Sequence, residues 1–142
     1  MASPIRTSGA ALPLFSGTIT TAGTAIGGTV ISIAGVTLAH TQAKLTWGSG
    51  GTNATAYIQT SLDNGATWAD IACFQFTTSS ATRIFSVGSG PGTAQITPTD
   101  GSLTANTMVP GVIGDRLRVK LISTGTYAGN TTLAVDAVVK AV

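Results

Sequence analysis

The chain has no glutamate, one cysteine and one histidine among its 142 residues. Each scarcity excludes something. With Cys73 as the single thiol no intrachain disulfide can form, and its place in an apolar strand predicts a small core side chain. Without glutamate the carboxylates are Asp63, Asp70, Asp100, Asp115 and Asp136, a thin supply for the facing pair that a glycosidase needs. A Ser-His-Asp site would have to use His40. No serine sits in a G-x-S-x-G elbow, however, and His40 is expected in a polar turn between two strands. P-loop, dinucleotide-binding and zinc-ligand spacings are missing too. These absences predict a protein that is not an enzyme, with no catalytic residues, no cofactor and no metal.

Charge is equally scarce. Charged residues make up 8% of the chain, against roughly 25% in ordinary domains. The formal charge is +2, from seven Lys/Arg too scattered for the clustered footprint of a nucleic-acid binder. The most apolar window, Ile26 to Ala39, is broken by Gly27, Gly28 and Gly35 and falls short of the roughly 20 residues of a spanning helix. No membrane contact is expected. Met1 to Phe15 holds no sustained apolar stretch, so no secretory leader is expected either.

What the chain does have is threonine, serine, alanine and glycine in abundance, a mixture poor in helix formers and rich in β-branched and turn residues. Strand-like runs fall at 17–21, 28–38, 41–48, 53–62, 68–77 and 81–87, separated by Gly- and Ser-rich punctuation. The predicted fold is all-β: a single-domain antiparallel β-sandwich, jelly-roll or Ig-like, over 17–142, preceded by an extended N-terminal arm at 1–16.

A long loop is expected at 88–114, where Pro91, Pro98 and Pro110 punctuate a nearly uncharged stretch. Connections of that length are commonly functional. Its apolar residues Ile96, Leu103, Met108, Val109, Val112 and Ile113 are therefore the expected partner contact. The alternative contact is Arg116 and Lys120, from the basic row Arg116, Arg118 and Lys120. Leu117, Val119 and Leu121 alternate with that row, and a Gly125–Gly129 turn leads into Thr131–Val139. This predicts a hairpin registering Leu117 with Ala137, Val119 with Val135 and Leu121 with Leu133, which sets Arg118 opposite Asp136.

The sharpest local signal is Ser61-Leu62-Asp63-Asn64-Gly65-Ala66-Thr67-Trp68. Asn64-Gly65 supplies the positive φ angles of a tight hairpin, and the Asp63 carboxylate can accept from loop amides. The octet resembles the Asp-box, S-x-D-x-G-x-x-W, with Ser61, Asp63, Gly65 and Trp68 on its fixed positions. Asp-boxes occur on hairpins of sialidases, in several copies and away from the active site, and in many non-enzymatic β-proteins. One copy implies a stabilised turn and argues against a sialidase. Trp47, Tyr57, Trp68 and Tyr127 are expected to pack the core or pin hairpins, with stacking on sugar rings as the alternative.

The segment Ala56 to Trp68 together with Gly114 to Lys120 and the Thr124–Val139 run resembles small β-rich virion proteins of tailed bacteriophages, over about half of the chain. The resemblance implies a non-enzymatic structural subunit, assembled in the bacterial host cytoplasm and located in the virion. A head decoration (cement) protein that binds and stabilises the major capsid protein lattice suits it best. A homo-oligomer, a trimer by preference, fits a scarcely charged surface made for symmetric contact. The alternatives are another virion component, in the neck, tail or spike, and a carbohydrate- or receptor-binding β-sandwich module.

Overall fold

A computed structural model describes residues 11–29, 33, 36–88 and 94–141. Sheet A holds β1 (Ala11–Thr18), β3 (Val36–Thr46), β7 (Ala81–Gly88) and β10 (Thr132–Ala141) in the order β1-β10-β3-β7. Sheet B holds β2 (Gly23–Ile26), β5 (Asn53–Ser61), β6 (Ala69–Phe76) and β8 (Arg116–Thr124) in the order β2-β8-β5-β6. Every pairing is antiparallel. Among these eight strands the first pairs with the last, the second with the next to last, and so on inward to the β5–β6 hairpin. Successive pairs fall in alternate sheets. That wrapped ribbon is the jelly-roll order, so the sandwich is a jelly roll and not Ig-like.

Period-2 patterning builds the core. Ala39, Ala43, Leu45, Val87, Leu133, Val135 and Val139 point inward from sheet A and meet Ala54, Ile58, Phe74, Phe76, Leu117, Val119 and Leu121 of sheet B. At one end β4 (Ser49–Gly50) pairs with β9 (Tyr127–Ala128) and closes the sandwich over the buried Tyr127, whose hydroxyl donates to the Thr77 carbonyl at 2.7 Å. Gly51, at φ +82°, is obligatory there because a Cβ would overlap the Tyr127 ring.

Three expectations need correction. The arm at 1–16 is not free over its last residues: Ala11 to Ser16 belong to β1, which pairs with β10 and buries Leu12 and Leu14. Pro13 and Gly9 break the apolar run and disguise an edge strand, where proline is tolerated; residues 1–10 lie outside the described residues. Next, His40 is not in a turn, because 41–48 and the end of 28–38 form the one strand β3. Finally, Arg116–Thr124 and Thr132–Ala141 do not form a hairpin. Their apolar faces do meet, but across the sandwich, since β8 pairs with β2 and β5 while β10 pairs with β1 and β3. Asp136 sits beside Gln42 and Pro13, in the other sheet from Arg118.

Candidate functional site

The outer face of sheet B is covered by its own chain. Residues 99–109 run along the free edge of β6, with Asp70 N donating to Thr99 O at 2.8 Å, Cys73 N to Thr107 O at 2.9 Å and Val109 N to Ile71 O at 2.8 Å. Gln75 N adds a bond to Asn106 Oδ1 at 3.0 Å. An open strand edge is thereby capped. Beneath the loop β5 is buried from Ala54 to Ser61 on both faces, and its outward Tyr57 and Gln59 share this cover with Cys73. Burial raises the Cys73 thiol above its ordinary range.

A polar row holds the cover down. Arg118 Nε donates to Gln59 Oε1 at 2.8 Å, and Gln59 Nε2 donates to Asp70 Oδ1 at 2.9 Å and to Asp100 Oδ1 at 2.6 Å. Gln59 is fully buried, with its carbonyl and both amide protons engaged. Asp70, 3% exposed, accepts further bonds from Thr99 Oγ1 and from the backbone amides of Gly101, Ser102 and Leu103. A buried carboxylate satisfied in this way nucleates the loop above it. Lys120 Nζ reaches Asp100 Oδ1 at 3.1 Å. Hydrogen bonds from Gln59 and then Lys120 hold the Asp100 carboxyl below the usual carboxylate range.

The Asp-box residues come together as a turn. Ala66 N donates to Asp63 O at 3.2 Å across Asn64 (φ 58°) and Gly65 (φ 89°), a type I′ geometry. Asp63 Oδ1 accepts from Thr67 N at 2.8 Å and from Ser61 Oγ at 2.9 Å, while Gly65 N donates to Ser61 Oγ at 2.8 Å. The Thr67 and Ser61 bonds lower the Asp63 pKa. Trp68 does not enter the core: it lies half-buried on the outer face with the Arg118 guanidinium 4.1 Å above its ring.

Of the residues expected to contact a partner, Met108, Val112 and Ile113 pack against the core, and Leu103 and Val109 are half-buried. Ile96 is the one that stays open, at 41% exposure. Two of the basic row are also spent internally, Lys120 on Asp100 and Arg118 on Gln59 and Trp68. Arg116 lies 3.8 Å from Asp115, and its Nε has no hydrogen-bond partner among the described residues. Sequence reasoning missed Gln59, Asp70 and Asp100. The available signal was Asp70, the one charge inside the mostly apolar run Ala69–Phe76.

Sheet A is the opposite case. Its outer face carries Leu38, His40, Gln42, Lys44, Thr82, Ile84, Asp136, Val138 and Lys140, and a shallow groove runs between Ala11, His40, Gln42, Ile84, Asp136 and Val138. Lys44, Arg83 and Lys140 are exposed. His40 Nδ1 lies 2.8 Å from Ser86 Oγ. The pair stands on a regular ladder in which His40 faces Ser86 and Val138. Among the described residues no group of three or more His, Cys or Asp side chains is close enough to hold a metal ion.

Strand order and self-covered sheet together define the class: a single-domain jelly-roll β-sandwich. Set against protein families, curated proteins and solved structures, the chain has no match in any of the three.

Proposed function

We propose that the protein is a non-enzymatic structural subunit of a tailed-phage virion, specifically a head decoration protein that binds the major capsid protein lattice through the outer face of sheet A. The observation that carries this reading is the asymmetry of the sandwich. The chain uses its long loop to cover sheet B and leaves sheet A open, with Lys44 and Lys140 exposed on the outer face that carries an apolar groove. Such a face suits an acidic, slightly grooved protein surface. Jelly rolls are used in capsid and lectin domains, a fold-level analogy that supports the reading without carrying it. The contact is placed on the other sheet because Met108, Val112 and Ile113 of the 88–114 loop pack against the core and Lys120 is held by Asp100.

The test is a cryo-EM map of the particle that carries this chain, with head occupancy followed across a salt series. Density repeated over the head lattice with sheet A inward, and occupancy that falls with ionic strength less steeply in Lys44→Ala/Lys140→Ala, is expected. Density confined to the neck, tail or spike would overturn the decoration role.

One observation favours the second reading, a carbohydrate-binding module. Trp68, Leu62, Thr67, Pro98, Thr99 and Asp100 line a shallow groove at the Asp-box turn, an indole beside hydroxyls and a carboxylate. Calorimetric titration with host glycans that gives binding in wild type and none in Trp68→Leu would favour it over the capsid role.

A further inference from the structure

Four strand edges bound the two sheets, and three of them are protected. β6 is capped by residues 99–109. β2 is four residues long. β1 carries Pro13 and a register break between Pro13 and Phe15. The fourth, β7, has eight residues, no proline and an unbroken register with β3 from Ala81 to Gly88. Among the described residues its outward edge meets no backbone partner. Thr82, Arg83, Ile84 and Ser86 are exposed, Ile84 at 64%. A long regular edge with one charge is a template for another strand.

We propose that β7 is the seam of a two-fold dimer, pairing antiparallel with β7 of a second copy and centred on Ile84 opposite its own counterpart. The strand is self-complementary about that residue, as an isologous contact requires. Thr82 falls opposite Ser86, two hydroxyls on the outer face. Arg83 falls opposite Phe85 on the inner face, where an arginine and an aromatic ring are compatible neighbours. Ile84 covers Ile84, removing an exposed large apolar side chain from water. Charge selects this register, because a slip that centred the seam on Arg83 would set two arginines directly opposite each other. The dimer fuses both copies of sheet A into one eight-stranded sheet and makes their open faces continuous. This contact stands independently of the capsid reading, and its two-fold symmetry differs from the trimer expected from the sequence.

Sedimentation equilibrium and oxidative crosslinking of the full chain test the seam. Wild type is expected to have twice the chain mass at high micromolar concentration, and Ile84→Lys, which sets like charges face to face, to return to the mass of one chain with an unchanged circular dichroism spectrum. Ile84→Cys is expected to crosslink on oxidation. Thr82→Cys is the control: in this register its counterpart lies four residues along the strand, roughly 13 Å away, beyond disulfide reach. A wild type that stays monomeric, an oligomer that survives Ile84→Lys, or a Thr82→Cys variant that crosslinks as readily as Ile84→Cys would each overturn the proposal.

Discussion

The two outer faces of this sandwich carry similar residues and put them to opposite uses. On sheet B the cations Arg118 and Lys120 are bonded beneath a loop, whereas on sheet A Lys44 and Lys140 stand in water. The strand patterns alone do not separate the two cases, since both β8 and β10 alternate a buried residue with a half-buried one. What separates them is Asp70, a carboxylate on the outward side of an edge strand that needs buried donors and finds them in residues 99–103. Cover, not strand sequence, decides whether a charged stripe is a surface.

Asp70→Ala should break that comparison most strongly. It strands the backbone amides of Gly101, Ser102 and Leu103 together with Gln59, so a loss of about 3–5 kcal/mol is expected by denaturant titration. Leu14→Ala should cost about 2–4 kcal/mol, because Leu14 is 1% exposed in the core. A midpoint unchanged by Leu14→Ala would restore the free-arm reading of 11–16. Trp68→Ala is expected to cost about 1–2 kcal/mol, less than a core tryptophan, since it removes a half-buried ring and one cation–π contact. Asp63→Ala should destabilise the same turn to a smaller extent, read as a lower thermal midpoint.

Acid sharpens the contrast further. The folded pKa of Asp100 is depressed, so its stabilisation is present above the unfolded value of about 4 and is lost as pH falls through the lower folded value. Amide protection in 99–109, corrected for the intrinsic exchange rate at each pH, should therefore fall at acid pH before protection in β3 and β10 does, and Asp100→Asn should flatten that difference. The smallest effects belong to sheet A: Gln42→Ala and Lys44→Ala should change stability by no more than about 0.5 kcal/mol.

Much of this was legible from the residues. The Asn64-Gly65 turn, the all-β class and the inward faces of β8 and β10 follow from turn chemistry and period-2 patterning, which are local. The pairing of those strands was not, because in a jelly roll consecutive strands cross between sheets and local alternation says only which side faces in. The same locality hid the loop's role. Met108, Val112 and Ile113 read as an exposed apolar surface until β6 and the core beneath them are in place.

The central claim is that residues 99–109 seal sheet B while sheet A stays open, and the lone thiol measures it directly. Cys73 lies fully buried under the loop, and a Gln42→Cys probe in a Cys73→Ser background would report the other face. Labelling with a thiol reagent is predicted to run at the free-thiol rate for Gln42→Cys and about a thousandfold slower for Cys73, with Asp70→Ala abolishing most of that protection while strand content persists. Equal labelling rates at the two positions in the native protein would contradict the account.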